Sequence, residues 1–129
     1  MNGFLLDTNA AIFALTLPEH LSPAARKAII KGPNLLSVVS YWEILLKSMK
    51  GLLDVGDPRD WWRDALEELA AAPLLLRPDH VAALHTLPSH HKDPYDRILI
   101  AQAAVEELSF VTSDKEVLKY ASEQLKIIR

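Results

Sequence analysis

Four acidic side chains stand at the ends of apolar segments, where a charged group is costly to place. Asp7, Glu43 and Asp114 each follow an apolar run of their own, and Asp96 precedes a further apolar run. Because desolvation penalises the charged form of a carboxyl group, four such positions suggest a compensating positive charge. The acids have no cysteine or histidine ligand pattern beside them, and oxygen donors suit Mg²⁺ or Mn²⁺. The pattern therefore predicts a metal site of the kind that assists phosphoryl transfer.

Each acid also has a second interpretation, as a helix cap. Ser40 to Glu43 has the spacing of a capping box, and Glu43 stands four residues before Lys47, which favours an ion pair along a helix. Capping roles are equally available to other acids at predicted helix starts: Asp7, Asp93, Asp96 and Asp114. For Asp93, followed by Pro94, capping is a sufficient role by itself. The alternative hypothesis is therefore a catalytically silent binding module whose acids only cap helices.

Several polar residues lie beside the four acids in the sequence and are candidate accessory groups. Thr8, Thr112 and Ser113 carry hydroxyls next to acidic positions and could support a ligand or contact a substrate. Capping and turn roles are equally plausible for these hydroxyls. Lys92 and Arg97 flank the third acidic segment and could position a phosphate chain, although Arg97 could as easily be a structural ion-pair partner.

Length and composition are typical of one globular domain, which we expect to span residues 1–129. Half of the residues are hydrophobic, no apolar run is long enough to span a bilayer, and no secretory signal is visible. With no cysteine for a disulfide or a thiolate site, a cytoplasmic protein without membrane contact is the expectation. The net charge is −3, and leaving out four metal-binding acids gives −3 + 4 = +1, so charge does not exclude a nucleic-acid substrate.

The hydrophobic pattern alternates between strands and helices along the whole chain. The predicted strands are short: 4–7, 35–39, 73–77, 110–112 and 126–128. The predicted helices lie between them: 9–15, 24–31, 40–50, 59–71, 79–84, 93–107 and 114–121. This order predicts an α/β fold, a three-layer α/β/α sandwich with a short central parallel sheet. Sites in such sheets form beyond the carboxyl ends of the strands, which is where the four acids converge.

Three tryptophans are candidates for a partner-binding surface. Trp61 and Trp62 begin an amphipathic helix, and two adjacent tryptophans cannot both point straight into one core stripe. One of them is expected at a rim or interface, where tryptophan is favoured in binding, although the sequence favours ordinary core packing slightly over a partner groove. Trp42 belongs to the apolar face of the helix that carries Glu43.

Four segments, in order, resemble the acidic motifs of PIN-domain ribonucleases. They are Leu5-Leu6-Asp7-Thr8-Asn9, Ser37-Val38-Val39-Ser40-Tyr41-Trp42-Glu43-Ile44, His91 to Ala103 around Asp93-Pro94-Tyr95-Asp96-Arg97, and Val111-Thr112-Ser113-Asp114. The resemblance is to the VapC-like toxins of type II toxin–antitoxin systems, and it extends from Phe4 to the last predicted strand. No acidic position of the four motifs is missing.

The resemblance implies a metal-dependent endoribonuclease that cleaves single-stranded or looped RNA. In this family pattern Asp7, Glu43, Asp96 and Asp114 are the catalytic and metal-binding residues for Mg²⁺ or Mn²⁺, Asp93 lies in an extension of the third motif with an uncertain direct role, and Thr112 matches a hydroxyl position that often accompanies the last acid. The resemblance also implies a homodimer and inhibition by a small VapB-like antitoxin lying in a hydrophobic groove. Such a groove would give the tryptophans a function: Trp42, Trp61 and Trp62.

Overall fold

A five-stranded parallel sheet forms the centre of the protein in this computed structural model, which describes residues 2–90 and 93–129. The strands are β1 (Phe4–Leu6), β2 (Asn34–Ser37), β3 (Ala71–Leu74), β4 (Ser109–Val111) and β5 (Ile127–Ile128). Their order across the sheet is β3-β2-β1-β4-β5, and each neighbouring pair is parallel. The chain therefore builds one half of the sheet from β1 outward, then returns to the other side of β1 for β4.

Six α-helices connect the strands within the described residues. They are α1 (Thr8–Thr16), α2 (Pro23–Lys31), α3 (Val38–Met49), α4 (Pro58–Glu68), α5 (Pro78–Ala83) and α6 (Pro94–Val105). Two short 3₁₀ helices, Pro18–His20 and Lys115–Tyr120, complete the connections. Over the same part of the chain, every helix falls short of the length and apolar character that crossing a bilayer would need.

The side chains of the central strands alternate between two hydrophobic layers. Phe4 and Leu6 of β1 point into a layer shared with α1, α2 and α4, whereas Leu5 between them points into a layer shared with α6. All three are buried, so β1 is covered on both faces. This arrangement confirms the predicted α/β sandwich with a short parallel sheet.

The second strand is shorter than the sequence pattern predicts, and the helix after it begins earlier. The β-branched Val38 and Val39 favour a strand over 35–39, yet they form the first turn of α3 because the hydroxyl of Ser37 accepts the amide of Val39 over 3.0 Å. The capping box predicted for Ser40 and Glu43 is therefore wrong. Both residues lie inside the helix, buried against neighbouring elements.

Smaller differences affect other predicted elements. The strand predicted over 73–77 is found at Ala71–Leu74, where its register with β2 places Leu74 opposite Ser37. The helix predicted over 114–121 is a 3₁₀ helix, Lys115–Tyr120. The other strands and helices agree with prediction to within about three residues at each end, the usual uncertainty of element boundaries.

A buried polar chain joins β2 to the central helix α6. The Ser37 hydroxyl donates to Gln102 Oε1 over 2.6 Å, and the Gln102 amide lies 3.3 Å from the carbonyl of Leu75 and 3.4 Å from Nδ1 of the buried His80. Gln102 is a polar residue within an otherwise apolar stretch of α6 and is fully buried. These hydrogen bonds fix the position of α6, whose first turn carries Asp96, relative to the sheet.

We predict that Ser37→Ala lowers the free energy of unfolding by about 1–3 kcal/mol, because it removes the cap of α3 and leaves the buried Gln102 oxygen without its donor. Ser48→Ala, within the same helix, is the matched control and should change stability by less than about 0.5 kcal/mol. Urea denaturation of both variants measures the difference. Equal stabilities would mean that the buried link has no energetic role.

Candidate functional site

The four predicted acids are distributed around the carboxyl ends of β1 and β4. Asp7 directly follows β1, and Asp114 comes three residues after the end of β4. These two strands are neighbours, and the chain order reverses between them, which is where α/β sheets usually bind their ligands. Glu43 in α3 and Asp96 in the first turn of α6 are close enough to Asp7 for their charges to act on it.

Asp7 is a buried carboxylate held by two neutral donors. Its residue is only 5% exposed, its Oδ1 accepts the amide of Ala10 over 2.6 Å, and its Oδ2 accepts a short hydrogen bond from the Thr112 hydroxyl. Burial raises the pKa of Asp7 to about 7, the two hydrogen bonds oppose this rise, and the charges of Asp96 and Glu43 add to it. At neutral pH the group is therefore poised between its charged and uncharged forms.

Glu43 is equally buried, and both of its oxygens have donors. The Thr8 hydroxyl, which also lies 3.0 Å from Ser40 Oγ, donates to Glu43 Oε1 over 2.7 Å. Lys47, one turn later in α3, donates to Oε2 over 2.6 Å, which confirms the predicted ion pair. The hydrogen bond and charge of Glu43 raise the pKa of Lys47, and the charges of Asp93 and Asp96 act in the same direction. The charges of three carboxylates thus act on the lysine ammonium, and that of Glu43 is in direct contact with it.

Asp93 and Asp96 lie at the start of α6. The Asp93 side chain caps the helix, accepting the amides of Tyr95 over 2.8 Å and Asp96 over 3.2 Å, as the sequence predicts. Asp96 is half-buried in the first turn, where the helix dipole favours a negative charge. Its charge acts on both Asp7 and Lys47.

Thr112 connects the last acidic motif to the first. Its fully buried hydroxyl donates to Asp7 and accepts the amide of Asp114 over 3.0 Å. Asp114, half-buried, caps the following 3₁₀ helix by accepting the amide of Glu116 over 2.9 Å. Ser113 is half-buried between these two residues. One hydroxyl therefore joins two segments 105 residues apart in the chain.

The two basic residues predicted beside the site have different outcomes. Arg97 donates to the carbonyl of Pro88 over 2.8 Å and lies 3.3 Å from the Tyr120 hydroxyl, so its guanidinium links the backbone at Pro88 to Tyr120. This geometry favours the structural interpretation of Arg97 over a phosphate contact. Lys92, together with His91 of the third motif, lies outside the described residues.

The tryptophans divide into one exposed and two half-buried side chains. Trp42 is 54% exposed and packs edge-on against Tyr95 near the start of α6. Trp61 and Trp62 are both half-buried against the layer that contains α1, α2 and α4, and Trp62 also stacks on Tyr41. Trp61 lines a groove of about 250 Å³ together with Leu15 of α1. Neither of the adjacent tryptophans is therefore a full core residue.

The donor set and charge of this site fit a hard divalent cation. Asp7 is a buried carboxylate whose pKa is raised partly by two neighbouring carboxylates, and a cation between them would reverse that repulsion. The oxygens do not form a closed cage, since no three of these acids bring their ligand atoms within 4.8 Å of one another in the described part of the chain. An ion would therefore need water or substrate oxygens to complete its coordination, as Mg²⁺ usually does.

A tighter group of potential metal ligands lies elsewhere, at the opposite end of α6. Asp79, His80 and Glu106 bring their ligand atoms within 4.8 Å of one another. Arg77 already supplies the cation there, with its guanidinium 2.8 Å from Asp79 and 2.5 Å from Glu106. His80 accepts the Arg77 amide at Nδ1 and faces Glu106 through Nε2 over 2.7 Å. We interpret this group as an ion-pair network that fastens α5 to α6.

Sequence reasoning missed two contributors to the site. The spacing predicts Ser40 as a helix cap, but its hydroxyl lies beside Thr8 in the buried network around Glu43. The same spacing predicts Lys47 as a helical ion-pair partner, and it gives no sign that the charges of Asp93 and Asp96 act on this lysine as well. The available signal was helical spacing, since Ser40, Glu43 and Lys47 recur every three or four residues and share one face of α3.

Residues 4–123 match the sequence model of a protein family described as PIN domain. Solved structures with a similar fold include VapBC from Salmonella typhimurium bound to DNA, with a TM-score of 0.67, 17% identity, and coverage of 98% of this chain and 97% of that one. VapBC2 from Rickettsia felis, bound to a promoter DNA fragment, has a TM-score of 0.64, 14% identity and 98% coverage of both chains.

VapBC-5 from Mycobacterium tuberculosis has a TM-score of 0.61 and 22% identity, covering 97% of this chain and 96% of that one. At these identities the likeness concerns the fold. No curated protein sequence is significantly similar to this chain.

We predict that the metal-free protein loses stability as the pH rises from about 4 to about 7. The pKa of Asp7 is 3.8 in the unfolded chain and about 7 in the folded one, so over this range the folded state binds more protons. The loss is on the order of 4 kcal/mol and levels off above pH 7. Asp7→Asn keeps a capping oxygen but cannot ionise, so it should be the more stable protein at pH 8 in EDTA.

Thermal melting between pH 4 and pH 8 measures this difference. Asp64→Asn, at an exposed acid of α4, is the control and should keep the wild-type pH dependence. Parallel curves for the wild type and Asp7→Asn would contradict the raised pKa of Asp7.

Proposed function

This chain belongs to the PIN domain family, and on that premise we propose that it is a VapC-like toxin of a type II toxin–antitoxin system. Its activity is metal-dependent endonucleolytic cleavage of single-stranded or looped RNA, with Mg²⁺ or Mn²⁺ bound by Asp7, Glu43, Asp96 and Asp114. RNA as the substrate rests on the order and spacing of the four acidic motifs, which resemble those of PIN-domain ribonucleases.

One observation carries the metal-dependent part of this proposal. Asp7 is a buried carboxyl at the carboxyl end of the central strand, and the charges of Asp96 and Glu43 act on it. A phosphodiester would be repelled by such a cluster in the absence of a cation. The site therefore supports hydrolysis that needs a bound cation rather than acid–base catalysis by the carboxylates alone.

In this hypothesis, the chain's own residues orient and hold the acidic groups. Thr112 and the Ala10 amide hold the Asp7 oxygens, and Thr8 orients Glu43. Asp93 orients the first turn of α6 and with it Asp96, which gives Asp93 a positioning role. A bound divalent ion would activate a water for attack on phosphorus and neutralise charge on the leaving oxygen.

The proposed partner is a small VapB-like antitoxin. The structures of similar fold are described as VapBC or toxin–antitoxin complexes, which supports a partner of this kind. Trp61 in its groove and the exposed Trp42 are candidate contacts for that partner. A homodimer, a single domain over residues 1–129 and a cytoplasmic location stay predictions from the sequence.

A second candidate function has specific support in the capping geometry. Asp7, Asp93 and Asp114 all accept backbone amides at the starts of helices. In a PIN-like binding module without catalysis, helix capping would be the whole role of these acids. Capping leaves unexplained why Asp7 is buried where the charges of Asp96 and Glu43 act on it, so we favour the nuclease.

We predict that Asp7→Asn and Asp96→Asn each reduce RNA cleavage by at least 100-fold while the fold is retained, because each removes a charge that holds the cation. Asp64→Asn should keep wild-type activity. Cleavage of a fluorescent single-stranded RNA in Mn²⁺, with circular dichroism as the check on folding, measures the effect. Full activity in either site variant, or undiminished wild-type cleavage in excess EDTA, would contradict the metal-dependent nuclease hypothesis.

Metal-dependent melting separates the nuclease from the silent module. Because an ion that binds only the folded state stabilises it by mass action, Mg²⁺ or Mn²⁺ should raise the melting temperature of the wild type by several degrees. Asp7→Asn should lose most of that increase and Asp64→Asn none. A wild-type melting temperature that is independent of both ions at millimolar concentration would favour the capping-only module.

A further inference from the structure

Lys47 places a positive charge inside the acidic site. Its ammonium donates to Glu43 Oε2 over 2.6 Å and lies within electrostatic reach of Asp93 and Asp96. The lysine side chain is 41% exposed, whereas that of Glu43 is 5% exposed, so the lysine reaches from the surface toward a buried acid. Glu43 therefore already has a cationic partner in the folded chain.

This contact competes with a divalent ion for the same carboxylate. An ion bound to Glu43 would lie about 2.0–2.1 Å from a carboxylate oxygen. An ion bound to Oε2 would lie within about 5 Å of the ammonium, which is 2.6 Å from the same oxygen, and the two cations would repel strongly. The remaining Glu43 oxygen already accepts the Thr8 hydroxyl. An ion at Oε2 would therefore bind Glu43 more weakly while the lysine is in place.

At Asp7 itself, the described residues contribute no ammonium or guanidinium hydrogen bond. The hydrogen bonds to Asp7 come from a backbone amide and a hydroxyl, both neutral, and Asp96 adds negative charge nearby. A cation beside Asp7 would therefore relieve the repulsion from Asp96 and Glu43, whereas the Lys47 ammonium already compensates the charge of Glu43.

We propose that Lys47 occupies the cation position at Glu43, so that the site takes up one divalent ion, on the Asp7 side, instead of two. This inference rests on the proposed metal-dependent function and specifies the number of ions. The built-in ammonium would also stabilise the buried Glu43 before any ion binds. Lys47 is in this sense a positioning residue, since it acts through Glu43 rather than on a substrate.

The experiment counts bound Mn²⁺ in the full chain. Mn²⁺ titration, followed by calorimetry and by the electron paramagnetic resonance signal of free Mn²⁺, is carried out on the wild type and on Lys47→Gln, which keeps a hydrogen-bond donor and removes the charge. Lys47→Arg retains the charge. Lys50→Gln, at an exposed lysine just after the end of α3, is the matched control for a general loss of charge.

We expect one Mn²⁺ per chain for the wild type, Lys47→Arg and Lys50→Gln, and two for Lys47→Gln. One ion with an unchanged Kd in Lys47→Gln, or two ions already in the wild type, would overturn the role of Lys47 and leave the metal-dependent function standing. Absence of Mn²⁺ binding in the wild type and Lys47→Gln alike would contradict the metal site itself, and with it both proposals.

Thermal melting gives a second readout that a purely structural ion pair would not produce. Without metal, Lys47→Gln should melt below the wild type, because Glu43 is left buried without its cation. Saturating Mn²⁺ should close this gap, since the second ion replaces the missing charge. A gap that persists at saturating Mn²⁺ would mean that Lys47 serves only the stability of α3.

Discussion

The burial of a carboxylate at the end of the central strand is the constraint on which this structure depends. β1 is covered on both faces, so the residue that follows it, Asp7, is carried into the interior. Other parts of the chain act on its charge. Two hydrogen bonds, from the Thr112 hydroxyl and the Ala10 amide, favour the ionised form, and the acids carried by α3 and α6 disfavour it. Each of these groups lies where it does because the parallel strands end at a common edge, next to the point where strand order reverses.

Helix capping and cation binding are compatible roles for the same acids. The amides accepted by Asp7, Asp93 and Asp114 fix the direction of each carboxylate without neutralising its charge. A side chain held in this way has already lost its conformational freedom, so a ligand that binds it has less entropy to overcome. The starts of these helices therefore present carboxylates in fixed orientations before any ligand binds. Glu43 differs, because a hydroxyl and an ammonium hold it from within α3 and α1.

Much of the fold follows from local patterns that the sequence shows directly. Apolar runs separated by amphipathic segments identify the strands and helices, and the cap at Asp93 with Pro94 predicts where α6 begins. The pattern fails at Val38 and Val39, whose β-branched side chains favour a strand although Ser37 starts a helix before them. Their helical state depends on a cap and on burial against the sheet. Propensity is a weak prior wherever packing is this close.

The sequence by itself determined which acids lie at strand ends, the order of the elements and the family to which the motifs belong. Only the tertiary structure decided which groups share a contact. The Thr112 hydroxyl reaches Asp7 across 105 residues of sequence, and Thr8 reaches Glu43 across 35. Burial raises the pKa of Asp7 against the opposing hydrogen bond from Thr112, and the charges of Glu43, Asp93 and Asp96 act on Lys47. Desolvation and Coulomb interactions depend on distance and burial in space, and neither quantity can be obtained from spacing along a chain.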